Sequence, residues 1–409
     1  MALEGLRRLN ALWDAGEAAY REGRHRAAAE LYRQATEVAE SDEDVPRWFR
    51  GVMRRAYADE LVTAERLREA LAALAPMPKE SAEGYEACCV YGNMTDHIEI
   101  AQRLPTSLRS IERAHARAED YFRAAGERDW AGRLLYYKSE LLAARGLYRE
   151  ALDAAREGFT MIRQGCPKLF PVTHACGLFR ISLALGDAAG ARRYLERWAQ
   201  LYERDDKKSL CKEADEYLMR SRLARAEGQT AEALDHARRG LRRGDLIDWG
   251  ETRYELNLEF VRAGLAAGRV VLARVTLGRL GALRRSENGH RRYEFRLLLG
   301  DYHLAAARAA AGLAPVDDEL VGLFPALAVH TGPGPAAGRP AAPAAARAAL
   351  GKARRAYLRA LKVGAWIDSQ LECTVRGDEV EGRLARAAEV ERAAAQGAAG
   401  AAALSRVAG

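Results

Sequence analysis

The sequence lacks the patterns that indicate β-sheet, membrane insertion or a disulfide framework. Alternating runs rich in Val, Ile and Thr are almost absent, so we expect no sheet. The longest apolar runs fall well short of the roughly 20 residues that a membrane-spanning helix needs. The N-terminus carries acidic residues within its apolar pattern, unlike a signal peptide. The 6 cysteines form no C-x-x-C pair, which favours reduced thiols and a cytoplasmic location.

Motifs for catalysis and for metal or cofactor binding are missing as well. The chain has no G-x-x-x-x-G-K-[ST] phosphate loop, no G-x-S-x-G nucleophile turn and no H-E-x-x-H metal motif. His97 with Asp96 and Glu99 lies too close together on one helix to supply a full metal-ligand set. We therefore expect no catalytic residues, no metal and no cofactor, and a protein that is not an enzyme.

The composition is that of a long helical protein. Of its 409 residues 30% are charged, and Ala, Leu, Arg and Glu dominate, which favours helix. The abundance of Ala and Arg suggests a GC-rich bacterial source. The net charge of +7 permits acidic partners but does not by itself indicate nucleic-acid binding.

A unit of helix, glycine turn and helix recurs along the chain. Its clearest copy spans residues 214–243, ADEYLMRSRLARAEGQTAEALDHARRGLRR, and similar turns recur 40 to 42 residues apart. The turn glycines are Gly23, Gly146, Gly186, Gly228 and Gly268. The gap between the first two is 123 residues, three periods of 41, which predicts two further turns near Glu60 and near Pro105.

Small and aromatic residues recur around these turns, and the units resemble tetratricopeptide repeats. The matching positions are Gly16, Ala28, Tyr32 and Ala35; Ser139, Tyr148 and Ala151; and Ser221, Ala224, Ala233 and Ala237. The resemblance covers most of residues 1–310 and implies an all-α, right-handed superhelical solenoid of antiparallel helix hairpins. The period exceeds the 34 residues of the family, which indicates its long-helix variety, and most units lack the closing proline. A different helical-hairpin solenoid is the alternative.

Composition divides the chain into four segments. Residues 1–312 form the predicted repeat array, and residues 313–346, rich in Pro, Gly and Ala, a flexible insertion. Residues 347–386 resume a helical hairpin or capping helices, because residues 366–368 parallel residues 247–249. Residues 387–409 are an Ala/Gly-rich tail that we expect to fray.

The resemblance implies that the first helix of each hairpin lines an inner groove, where we place a binding site. Arg180, Arg222 and Arg262 stand six residues before successive turn glycines, and the equivalent residue in the preceding unit is Glu140. Ten residues before such glycines stand Tyr136, Cys176, Leu218 and Leu258. A spacing of four puts both rows on one helix face. With no acidic residue at the same position in these three units, the arginines should attract an extended or helical peptide with acidic groups beside an apolar stripe. The alternative is that they only solvate the inner wall.

These features predict a protein–protein interaction scaffold, adaptor or sensor subunit that holds a peptide or partner domain in its groove. The alternative is a nucleic-acid-binding or transcription-regulatory protein that uses a basic edge. Its candidate residues are Arg238, Arg239, Arg242, Arg243, Arg284, Arg285, Arg291 and Arg292. Cations near the end of a helix also offset the helix dipole, a structural explanation for the first four.

Overall fold

The computed structural model describes residues 2–64, 66–74, 85–104, 106–162, 170–204, 209–248, 251–286, 288–313 and 343–407. Most of these residues are helical, and the helices are joined by turns and short loops. No strand occurs among them, and none of their helices is long and apolar enough to cross a membrane. The helices are α1 (Ala2–Arg21), α2 (His25–Ser41), α3 (Arg47–Thr63), α4 (Leu67–Leu74), α5 (Tyr85–Arg103), α6 (Leu108–Ala125), α7 (Arg128–Ala144), α8 (Tyr148–Ile162), α9 (Phe170–Ala184), α10 (Ala188–Glu203), α11 (Leu210–Ala226), α12 (Thr230–Gly244), α13 (Glu251–Ala266), α14 (Val270–Arg279), α15 (Gly289–Ala310), α16 (Pro343–Leu371) and α17 (Val375–Val407).

Successive helices pack as antiparallel hairpins, from α1 with α2 to α13 with α14, and α15 then packs against α16. This confirms the predicted all-α solenoid. Odd-numbered helices from α3 to α15 also contact the next odd-numbered helix, which places them on the inner side of the curve, where neighbouring layers converge. We call them the inner helices.

Glycine ends the first helix of five hairpins, as the repeat predicts. Gly23, Gly146, Gly186, Gly228 and Gly268 have φ angles between 73° and 80°. Only glycine adopts this left-handed conformation without a steric cost from Cβ. After each glycine the next N–H donates to the carbonyl five residues earlier, as from Gln229 to Ala224 at 2.8 Å. This closes the helix end in a Schellman motif.

The two degenerate turns are also present. The chain leaves α3 after Thr63 and enters α4 at Leu67, a few residues beyond Glu60. It leaves α5 after Arg103 and enters α6 at Leu108. Pro105 itself lies outside the described residues.

Small residues allow close helix contact in the Gly228 unit. Ser221, Ala233 and Ala237 are fully buried. The Ser221 hydroxyl donates to the Ala233 carbonyl at 2.8 Å across the hairpin. A Cβ on Gly240 would come within 2.5 Å of the Leu256 side chain. The register inferred for this unit therefore agrees with its packing.

The C-terminal helices differ from the predicted segments. Residues 314–342 lie outside the described residues, but α16 begins at Pro343 rather than at Arg347. Proline suits the first position of a helix, where its missing N–H costs nothing, and alanines follow. Helix α17 continues without a break across the predicted boundary at residue 387, since alanine favours helix more than the interspersed glycines oppose it.

Residues 366–368 lie inside α16, not in a turn like residues 247–248, so the sequence parallel does not mark a hairpin loop. The aspartates of the two stretches, Asp368 and Asp248, nevertheless make the same kind of contact. Asp368 accepts hydrogen bonds from the backbone N–H groups of Arg376 and Gly377, each at 2.9 Å, at the start of α17. Asp248 accepts in the same way at the start of α2, from His25 at 2.7 Å and Arg26 at 3.3 Å. Both carboxylates satisfy N–H groups that a helix leaves unbonded.

The Asp248 contact joins the first hairpin to residues more than 200 positions away, and we call this contact the clasp. The Asp248 N–H donates to the Gly23 carbonyl at 3.0 Å. The buried His25 ring lies between Glu60, 2.9 Å from Nδ1, and the Cys211 sulfur, 3.2 Å from Nε2. The array therefore winds tightly enough for its first turn to touch the region around α11 and α12.

A second contact joins α7 to α17. The Arg376 guanidinium donates to the Ala144 carbonyl at 3.1 Å and to Asp368 at 3.0 Å. This satisfies a carbonyl that the end of α7 leaves unbonded. The C-terminal helix is thus bonded to the middle of the array.

Candidate functional site

The three predicted arginines lie on three successive inner helices, Arg180 on α9, Arg222 on α11 and Arg262 on α13. Each binds a carboxylate on a neighbouring inner helix. The pairs, which we call the inner row, are Arg180 with Glu140 of α7, Arg222 with Glu255 of α13, and Arg262 with Glu294 of α15 at 2.9 Å. Each of the three predicted arginines therefore already has an acidic partner within the protein. Their partners stand mostly at other helix positions, which a comparison of equivalent positions does not reveal.

A fourth carboxylate, on Glu259, lies fully buried behind the row. Arg225 donates to both of its oxygens, at 2.8 and 3.2 Å. Nitrogens of Arg222 and Arg262 lie 3.8 and 3.9 Å from Oε2. A buried carboxylate needs such partners because its desolvation is costly. Two of the predicted binding residues thus also hold the fold together.

The predicted apolar stripe is not exposed in the groove. Leu218 is 6% exposed, Leu258 0% and Tyr136 8%. Leu258 packs with Val261 and Leu277 in the core between hairpins. The side chain of the residue ten positions before the turn glycine therefore faces the adjacent helix rather than the inner surface. This part of the site prediction is wrong for both leucines.

Tyr136 reaches the inner row through its hydroxyl alone. The hydroxyl donates to Glu140 at 2.8 Å and accepts from Arg180 at 3.0 Å. Its ring packs against His174, with the ring centroids 4.9 Å apart. Tyr136 therefore orients the Arg180–Glu140 pair from the core side.

The Arg180–Glu140 pair is the most accessible part of the row. The side chains are 42% and 28% exposed. The Glu140 carboxylate and then the Tyr136 hydroxyl hold the pKa of Arg180 well above its usual value. The guanidinium is charged at all ordinary pH values, so it can bind an anion wherever Glu140 moves aside.

Glu251, at the start of α13, joins separate parts of the inner wall. Its carboxylate lies 2.9 Å from Arg103 of α5 and 3.5 Å from Arg291 of α15. Burial alone would raise its pKa, but Arg103, Arg291 and Arg180 lower it to about 2. Glu251 is therefore ionised at neutral pH and offsets nearby arginine charge.

Asp215 of α11 is a second acidic group of this wall. Burial raises its pKa to about 7, although a hydrogen bond with Thr252 and the charges of Arg222 and Arg180 oppose the shift. With Asp215 and Glu251, the inner wall carries both signs of charge. The predicted row of arginines therefore lies on a wall that also carries acidic groups.

The same kind of network continues toward the N-terminus. Asp96 of α5 accepts from Arg55 of α3 at 2.7 Å and from Arg133 of α7 at 3.3 Å. Asp96 thus binds arginines, and the described residues contain no group of three His, Cys, Asp or Glu placed to hold a metal. The sequence drew attention to Asp96 but not to its partners, which are 41 and 37 positions away.

Beside the clasp, a thiol, an imidazole and a carboxylate are connected in the order of a catalytic triad. The His25 ring contacts the Cys211 sulfur through Nε2 and the Glu60 carboxylate through Nδ1. Burial and then the Asp215 and Glu60 charges raise the pKa of the Cys211 thiol to about 12. A thiol that stays protonated is a poor nucleophile. The three residues lie far apart in the chain, and the sequence gives no signal that they meet.

Three of the eight arginines of the predicted basic edge have acidic partners within the protein. Arg291 is buried, pairs with Glu251 and lies 4.9 Å from the centre of the Tyr254 ring. Arg239 pairs with Asp235 at 2.8 Å, and Arg243 lies 3.6 Å from Glu213. These arginines do not form one continuous exposed cationic surface.

Comparison with known proteins gives a structural likeness only. No protein-family model matches the chain, and no curated protein matches its sequence. Among solved structures, it is similar to a Rap protein complexed with Competence and Sporulation Factor, with a TM-score of 0.49 and 10% sequence identity. The match covers 95% of this chain and 99% of that one.

Proposed function

We propose that the protein is a non-enzymatic, cytoplasmic scaffold, adaptor or sensor subunit that binds an extended peptide or a segment of a partner protein along its inner helices. The observation that carries the proposal is the series of ion pairs across successive inner helices, part of which is open to water. A charged ligand group can exchange with a partly exposed pair without leaving a buried charge unpaired. Repeat solenoids commonly use their concave surfaces in this way.

The ligand chemistry follows from Arg180. A planar guanidinium that is 42% exposed favours a carboxylate, which it can bind with two hydrogen bonds. We therefore propose a ligand with at least one acidic side chain, which binds Arg180 in place of Glu140. Once Arg180 binds the ligand, the Glu140 carboxylate loses its partner. A ligand that also carries a basic residue can pair with this carboxylate.

The test is a panel of immobilised peptides with systematically varied acidic, basic and apolar residues. Binders are titrated by fluorescence anisotropy against wild type and Arg180→Gln. Loss of one charge-assisted contact should weaken binding about tenfold or more. The matched control is Arg193→Gln, an exposed arginine on the outer helix α10. Binding that weakens equally in both variants, or in neither, would contradict the proposed site.

Nucleic-acid binding is not proposed, because Arg291 of the basic edge is buried and Arg239 pairs with Asp235. A salt titration separates the two functions. Nucleic-acid affinity would fall steeply with salt and tolerate changes of sequence. Peptide binding at Arg180 should lose only the contribution of a few charges.

A further inference from the structure

A cavity of about 600 Å³ lies among α6, α7 and α8, away from the inner row. Its size falls within the range of small-molecule sites. Its wall is mostly apolar, and no residue of the inner row lines it. Its apolar lining residues include Phe122, Leu134, Leu141, Leu142 and Met161.

His115 on this wall is 8% exposed and has a defined tautomer. The Gln102 amide nitrogen lies 3.1 Å from His115 Nε2 and also donates to the Tyr137 carbonyl at 3.0 Å. The Gln102 NH2 group can only donate hydrogen bonds, so His115 Nε2 must accept. The proton of the neutral imidazole is therefore on Nδ1. Burial and then the Lys138 charge lower the pKa of His115 to about 4, so the ring is neutral at pH 7.

The His115 Nδ1–H has no acceptor within the part of the chain that the structure describes. A buried donor without a partner is costly, and proteins rarely leave one. The Nε–H of Arg145, which also lines the cavity, is unpartnered in the same way. Both groups are hydrogen-bond donors without an acceptor, so a ligand that satisfies them must supply an acceptor.

The charge of Lys138 favours an anionic acceptor near His115. Lys138 lines the cavity and is close enough to lower the pKa of the imidazole. The lining also holds four acidic residues, which are Glu112, Glu119, Glu127 and Glu157. Glu119 binds Arg123 at 2.7 Å, and Glu112 lies 4.0 Å from Arg145. At His115 itself, Lys138 and the Nδ1–H are the groups that can hold a negatively charged oxygen.

We propose that this cavity binds a small amphipathic carboxylate, with its apolar chain or ring against Phe122 and Leu134 and its carboxylate at His115 Nδ1 and Lys138. The apolar wall removes the chain or ring from water, which supplies most of the affinity. The two donors select a carboxylate over an uncharged head group. This site goes beyond the proposed peptide function and shares no residue with it.

The test uses decanoate and 1-decanol as probes, titrated into the full chain by isothermal calorimetry below their aggregation limits. Decanoate should bind with one molecule per chain and about tenfold or more tightly than decanol, from one charge-assisted contact. Lys138→Gln should remove that preference while leaving decanol binding unchanged. Lys362→Gln, at an exposed lysine on α16, is the matched control and should retain it.

A second variant tests the location. Ala116 lies on the cavity wall at an exposed position of α6, so Ala116→Trp should obstruct the cavity without disturbing the core. It should abolish decanoate binding, whereas Ala348→Trp, at an exposed position of α16, should not. Failure of wild type to bind decanoate, equal binding of both probes, or full binding by Ala116→Trp would overturn the proposal. Because Arg180→Gln leaves this cavity intact, the two proposals fail independently.

Discussion

Glu259→Gln is predicted to destabilise the array more than any change at a surface carboxylate. The substitution keeps the size of the side chain and removes its charge. Glu259 is fully buried and accepts two hydrogen bonds from Arg225, with Arg222 and Arg262 just beyond 3.5 Å. The neutral amide would leave three guanidinium groups close together without their shared carboxylate.

The magnitude follows from burial. Removal of one partner from a buried pair commonly costs about 3–5 kcal/mol. The three arginines are partly exposed, and Arg222 and Arg262 keep Glu255 and Glu294. We therefore expect the lower end of that range, about 3 kcal/mol.

The assay is urea denaturation followed by far-UV circular dichroism, with hydrogen exchange of α11 and α13 as a local measure, because repeat arrays need not unfold in one step. The control is Glu216→Gln, which removes a partly exposed pair with Arg220 within α11 and should cost at most about 0.5 kcal/mol. If the two variants denature at the same urea concentration, Glu259 does not stabilise the fold as we argue.

Three further predictions test the packing, the clasp and the charges of the inner wall. Ala233→Leu should cost roughly 1–3 kcal/mol through overpacking, and an unchanged melting temperature would contradict the tight packing at this fully buried position. Asp248→Ala should cost about 1 kcal/mol and speed amide exchange at the start of α2, because two N–H groups lose their acceptor; unaltered exchange there would count against the clasp. Since the pKa of Asp215 rises from 3.8 to about 7 on folding, folding takes up a proton between these values and stability falls as pH rises through them. The stability of Asp215→Asn relative to wild type should accordingly be greater at pH 8 than at pH 4, and a difference independent of pH would refute this assignment.

The local features of the fold could be predicted from the sequence because they depend on neighbouring residues. A glycine at the end of an amphipathic segment closes a helix wherever that helix lies, and small residues at fixed offsets mark the hairpin contact. Gly228, Ser221 and Ala233 occupy the places that this reasoning assigns to them. The register of one hairpin therefore follows from one stretch of sequence.

The site could be predicted only in part because it depends on how hairpins stack. The common distance from the turn glycine identifies Arg180, Arg222 and Arg262 in the sequence. The rotation of each hairpin relative to the next decides which carboxylate each arginine binds. This rotation between hairpins also buries Leu218 and Leu258. Spacing along one helix defines a face and does not say whether that face meets water or another helix.

The position of the Arg180–Glu140 pair gives a ligand there a physical route to the C-terminal helix. The pair links α7 to α9, so a ligand carboxylate that takes Arg180 from Glu140 removes a bond between these two inner helices. The end of α7 is also bonded to α17, through the Ala144 carbonyl and Arg376. A shift of α7 relative to α9 must therefore strain or move that contact as well, since a packed helix moves as a unit more readily than it bends. In this array, the proposed ligand site and the contact with the C-terminal helix therefore lie on the same helix, α7.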